Sequence, residues 1–160
     1  MANDPQRQQH YDQLFQRLDA LCQGETDTIA LMATISCELK LAFTHFDWVG
    51  FYRHIGNQTL KIGPYQGGHG CLSIPFERGI CGLAARERKL LNIADVNAVP
   101  HHIACASSTR SELVLPIINT AGELLAVLDI DSDTAAAFDQ CDVDNIAKIN
   151  GYFGDSTLLI

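Results

Sequence analysis

Apolar residues recur at helical spacing near the start of the chain. Tyr11, Leu14, Phe15, Leu18 and Leu21 fall on one face of a segment from about 5 to 22, opened by Asp4-Pro5 and closed by Gly24. Asp27 is the expected cap of a second helix, striped by Ile29, Met32, Ser36, Leu39 and Phe43. Leu31 and Ile35 widen that stripe, so this helix is expected to be buried over much of its surface. From Asp47 the period becomes two, with Trp48, Gly50 and Tyr52 on one face and Val49, Phe51 and Arg53 on the other. Gly56-Asn57 makes a turn, and 59–62 is the returning strand. The run Gly63 to Cys71 is too rich in glycine for a regular element. A short helix over 79–88 and a strand over 90–93 follow, then an irregular stretch from Asp95 to Ser108. A hairpin comes next, Ser111 to Ile118 and Glu123 to Ser132 around Asn119-Thr120-Ala121-Gly122. The last helix is predicted from about Asp139 to Tyr152, with Val143, Ile146, Ala147 and Ile149 as its apolar face.

Strands in hairpins between terminal helices predict an α+β domain with an antiparallel sheet. The helices would pack on one face and leave the other for a ligand pocket. A chain of 160 residues suits a single domain over 1–160, with N-terminal helices in 1–45, the sheet and pocket loops in 46–135, and a C-terminal helix and tail in 136–160. The 47% hydrophobic and 19% charged residues fit a globular protein. A formal charge of -8 argues against nucleic acid and anionic membranes as partners. The polar first ten residues and the absence of a long apolar run lead to a cytosolic expectation.

Six cysteines stand at 22, 37, 71, 81, 105 and 141. Without export a disulfide framework is not expected, and no Cys-x-x-Cys pair marks a zinc ribbon. Cys22, Cys37 and Cys141 lie in helical patterns and read as small core residues. Cys71, Cys81 and Cys105 lie among glycines, histidines and serines. Cys81, at the start of the short helix, is where a helix dipole would favour thiolate. Cys105 has His101, His102 and Arg110 nearby in sequence, and Cys71 follows a flexible glycine run. Thiol–disulfide chemistry, inert thiols and a Cys/His metal site all remain open at this point.

The hairpin gathers carboxylates. A four-residue turn would pair Ile118 with Glu123 and so set Glu112 across from Asp129, with Asp131 on the same face. Opposed carboxylates repel, so one is expected to stay protonated unless a cation lies between them. A site for an ammonium group or divalent metal is one reading; a simple cap on the turn at Ser132-Asp133 is the other. Trp48 and Tyr52 would be core, or an aromatic wall if their face is also the carboxylate face.

Taken together, Trp48-x-x-x-Tyr52, Gly63-Pro64-Tyr65-Gln66-Gly67, Cys71, Gly79-Ile80-Cys81-Gly82, Asp95-Val96, His102-Ile103-Ala104-Cys105, Ser111-Glu112 and Leu128-Asp129-Ile130-Asp131-Ser132 closely resemble the free methionine-(R)-sulfoxide reductases. These are GAF-domain enzymes that reduce the free amino acid. The resemblance runs in order along nearly the whole chain. It implies Cys105 as nucleophile, Cys71 as the resolving cysteine that closes a disulfide with it, and Cys81 as an accessory cysteine. It implies Glu112, Asp129 and Asp131 as the acidic cluster that holds the polar sulfoxide end or the amino group, and Trp48 and Tyr52 as the wall around the substrate's methyl group. Thioredoxin is the implied reductant; no metal or other cofactor is implied. A carboxyl kept neutral by its neighbour, Glu112 or Asp129, would protonate the departing oxygen. The chain departs from the family pattern at Ala106, where an acidic residue is usual, at Thr109 for a serine, and at Tyr65 for a phenylalanine. A rival reading is a GAF module that binds a small amino-acid-like ligand, its cysteines sensing redox state or metal. The apolar N-terminal helices also suit a homodimer.

Overall fold

The computed structural model describes residues 5–99 and 107–157, so His101, His102, Cys105 and Ala106 lie outside the described residues. Its centre is an antiparallel six-stranded sheet in the order β3-β2-β1-β6-β5-β4. The strands are β1 (Trp48–His54), β2 (Thr59–Gln66), β3 (Ser73–Pro75), β4 (Leu91–Ile93), β5 (Ser111–Ile118) and β6 (Leu124–Ser132). The helices are α1 (Pro5–Leu21), α2 (Thr28–Ala42), α3 (Gly79–Glu87) and α4 (Gln140–Ile146), the last continued as 3-10 turns over Ala147–Phe153. No helix among the described residues is long and apolar enough to cross a membrane.

The two-residue period of the strands splits the interior into two cores. Val49 and Phe51 of β1, with Leu113, Leu115, Leu128 and Ile130, face α1, α2 and the C-terminal helical segment. Trp48 and Tyr52 face the other way with Val114 and Val127, and there meet α3. The expected α+β sheet is therefore present, with the terminal helices on one face. α3 lies on the opposite, pocket face.

Asp27 caps α2 as expected, its carboxylate accepting from the Ile29 and Ala30 N–H groups. Leu21, expected inward, is 58% exposed: the stripe of α1 continues from Leu18 into Cys22, leaving Leu21 beside it. β2 runs on to Gln66 through the segment expected to be irregular. Gly63 and Pro64 together oppose Phe51 in a bulge, where a residue lacking an N–H is tolerated. The short strand β3 pairs with β2 and was not evident from the sequence pattern. The last helix tightens after Ile146; a period of three keeps Ile149 buried and turns Ala147 outward, contrary to expectation.

α4 is tied to α1 by a buried carboxylate. Asp142 accepts from Tyr11 Oη at 2.8 Å, Arg7 Nη1 at 2.6 Å and the Asp139 N–H at 2.9 Å. The Asp139 carboxylate caps α4 in return, completing a capping box. Tyr11→Phe removes one hydrogen bond to this carboxylate, and the expected cost is about 1.5–3 kcal/mol. Urea unfolding should show a lower midpoint with an unchanged slope.

Candidate active site

The site begins with register. β1 and β6 pair Trp48 with Asp131, Gly50 with Asp129 and Tyr52 with Val127. β5 and β6 pair Glu112 with Asp131 and Val114 with Asp129. The aromatic and carboxylate faces are therefore one face. The expected pairing of Glu112 with Asp129 is off by two residues: the turn closes as Ile118 with Leu124, and a bulge beyond Ile117 adds one more. Two shifts of one residue restore the original side, so the carboxylates still converge. Leu124, on the N-terminal side of the bulge, joins the pocket-face core rather than the opposite one.

α3 closes this face. Cys81, in its first turn, is buried and carries its Sγ to 3.7 Å from Glu112 Oε1. Cys81 Sγ and one carboxylate oxygen each from Glu112 and Asp129 all lie within 4.8 Å of one another. Burial raises the Cys81 thiol well above its ordinary value, and the charges of Asp129, Glu112 and Asp131 add to this. The helix dipole does not prevail, so the expected thiolate at Cys81 is corrected to a protonated thiol. A partial charge at a helix end is outweighed by loss of water beside two buried carboxylates.

The carboxylates bear out the expectation of a retained proton. Burial pushes the Glu112 carboxyl well up, and Asp129 and Asp131 push it further. Burial brings Asp129 to about 6, a rise limited by hydrogen bonds with Cys81 and Glu112. Asp131 stands half-exposed by area at the rim, yet enclosure by protein followed by Asp129, Asp133 and Asp47 raises it too. Asp129 Oδ1 is buried with no hydrogen-bond partner among the described residues. A buried acceptor without a partner can take a proton donor or a cation that a ligand brings.

The wall is aromatic. Trp48 stacks on Tyr52 at 5.8 Å and on Tyr65 at 5.4 Å between ring centroids. Its indole Nε1 donates to the Gly68 carbonyl at 2.9 Å. Gly50 makes this possible, since a Cβ there would lie 2.4 Å from the indole and from Tyr65 Cβ. Gly70 also lies close over Tyr52, where a Cβ would come 2.8 Å from the hydroxyl. Tyr65 entered the sequence reading only as a replacement for phenylalanine; its pairing with Gly50 makes it part of the wall. The length of β2 was the missing signal. Burial, followed by Asp129, keeps the Tyr52 phenol protonated.

Cys71 is half-buried, packs against the pocket-face core and is disulfide-bonded. Cys22, Cys37, Cys81 and Cys141 are free thiols. The predicted nucleophile, Cys105, lies outside the described residues. A thiol and two carboxyls at this spacing could hold an ammonium group or a divalent metal, and a retained proton can be given to a departing oxygen.

Crowding of this kind costs stability. Asp129 titrates near 6 when folded, against an ordinary value of 3.8. The folded state therefore keeps its proton longer, so this contribution favours folding below about pH 4 and is lost as pH rises from about 4 to 6. Asp129→Asn should stabilise the protein at pH 7.5 by about 1–3 kcal/mol and flatten this part of the profile. Unfolding in urea across pH 4–8 measures both.

Residues 27–148 match the GAF domain family. The chain is 38% identical over 143 residues to GAF domain-containing protein A of Dictyostelium discoideum, covering 89% of each. It is 36% identical over 139 residues to the free methionine-R-sulfoxide reductase of Escherichia coli, covering 87% of this chain and 83% of that protein. The fold superposes on the free methionine-R-sulfoxide reductase of Neisseria meningitidis, solved in complex with its substrate, with a TM-score of 0.87 and 35% identity over 97% of this chain and 91% of that one. The conjunction of this fold, this acidic face and these relatives identifies the chain as a member of the GAF domain family, in its free methionine-R-sulfoxide reductase group.

Proposed function

We propose that this protein reduces free methionine-(R)-sulfoxide to methionine, using Cys105 as nucleophile and Cys71 as the resolving thiol. The observation that carries the reading is the buried set of proton-retaining carboxyls beneath an aromatic wall, in a chain of this family. The Cys105 thiolate attacks the sulfoxide sulfur while a carboxyl, Glu112 or Asp129, protonates the oxygen. The substrate S–O bond breaks, the oxygen passes as a hydroxyl to the Cys105 sulfur to give a sulfenic acid, and methionine leaves. Cys71 attacks that sulfur, a disulfide forms and water departs, so two thiols supply the two electrons the sulfoxide gains. Thioredoxin then returns both cysteines to thiols. The oxidised state of Cys71, beside free thiols at the other four described cysteines, supports its pairing with Cys105.

Selection of the free amino acid follows from charge. The ammonium group of free methionine sulfoxide would pair with the acidic cluster at Asp129 and Asp131, and main-chain N–H groups near the start of α3 would take its carboxylate. A residue inside a peptide has neither charge. Trp48 and Tyr52 would enclose the methyl group.

NADPH consumption coupled through thioredoxin reductase and thioredoxin tests this directly. Turnover is expected with free methionine-(R)-sulfoxide, not with the (S) epimer or a blocked peptide, and is lost in Cys105→Ser. Binding of the free sulfoxide without turnover of any substrate would sink the enzyme reading and favour a ligand-sensing module. If Glu112 is the donor, Glu112→Gln lowers kcat by about 100-fold or more. A donor must hold its proton, so the rate should fall as pH rises past the elevated Glu112 value, and this limb should vanish in Glu112→Gln.

A further inference from the structure

We propose that Cys81, Glu112 and Asp129 also form a site for a thiophilic divalent cation of the zinc class, which blocks the pocket. A tetrahedral zinc with a sulfur ligand near 2.3 Å and an oxygen ligand near 2.1 Å holds the two about 3.6 Å apart. Cys81 Sγ and Glu112 Oε1 are 3.7 Å apart. Asp129 brings the third donor within the same 4.8 Å sphere, and its buried Oδ1 lacks a partner among the described residues. The side chains are thus already spaced as ligands around a centre, and one acceptor is left over for it.

The donor set selects the ion. Calcium and magnesium favour six or more oxygens, whereas one sulfur and two carboxylates suit zinc or cobalt, with a fourth position for water. Binding replaces protons on Cys81 and the carboxyls, so protons are released as the ion enters. The three donors come from α3, β5 and β6, which the fold holds together without the ion. An ion here would occupy the carboxylates that the substrate ammonium needs. Metal binding itself is independent of the reductase reading; inhibition rests on that reading.

Cobalt(II) is the probe, titrated into the protein with its Cys71 disulfide intact. One equivalent should produce a sulfur-to-cobalt charge-transfer band with release of protons, and zinc should abolish the band. Free methionine should displace the cobalt by competing for the carboxylates. Cys81→Ser should remove the band. Asp129→Asn, which keeps the thiol and is expected to fold at least as well, should weaken cobalt binding by on the order of 100-fold. No band at stoichiometric cobalt, or a band unchanged in Cys81→Ser or Asp129→Asn, overturns the site. Turnover of methionine-(R)-sulfoxide without cobalt binding refutes the metal site alone. Cobalt binding through Cys81 without turnover of any substrate refutes the reductase reading and leaves the metal site standing.

Discussion

Three carboxyl groups that would repel one another if all were ionised are packed on one face of a sheet, and the surrounding architecture holds them there. Glu112 and Asp129 are both buried, with Asp131 at their rim, and a thiol rather than a cation closes the group from above. No described lysine or arginine forms an ion pair with these three carboxyls. Left alone, such groups would separate and hydrate. The opposing force comes from the other side of the same strands, where α1, α2 and the C-terminal segment bury a large apolar cluster. Stability made on one face sustains electrostatic cost on the other.

Much of this was legible in order along the chain. The periods of 3.6 and 2 located both N-terminal helices, the central strand and the hairpin because tertiary packing there agrees with local preference. Where they disagreed, reading failed for identifiable reasons. Pro64 and the glycines around it signalled a loop, yet a bulge absorbs the proline and β2 continues, bringing Tyr65 onto Trp48. A bulge has no composition that marks it in advance, so the hairpin register was misjudged. The faces survived because the two shifts cancelled in parity.

The site was legible as a set of residues but not as a balance of forces. That Trp48, Tyr52, Glu112, Asp129 and Asp131 share a face follows from alternation once strands are paired. The protonation of Cys81 does not follow from its position on α3. It depends on neighbours supplied by β5 and β6, 31 residues on for the glutamate. Long-range electrostatics of this kind is invisible to any local rule, and it reversed the expected state of that sulfur. The arrangement around Gly50 is similarly hidden, because the missing side chain matters only once an indole is found lying over it.

The protonated state of Cys81 bears on endurance as well as chemistry. Peroxides attack thiolates far faster than thiols, and they must reach the sulfur to do so. A thiol sealed under α3 and kept neutral by adjacent carboxyls is poorly suited to that reaction on both counts. A pocket working where methionine becomes oxidised is itself bathed in the same oxidants. The Cys81 sulfur is shielded from irreversible loss by the same acids that keep it protonated.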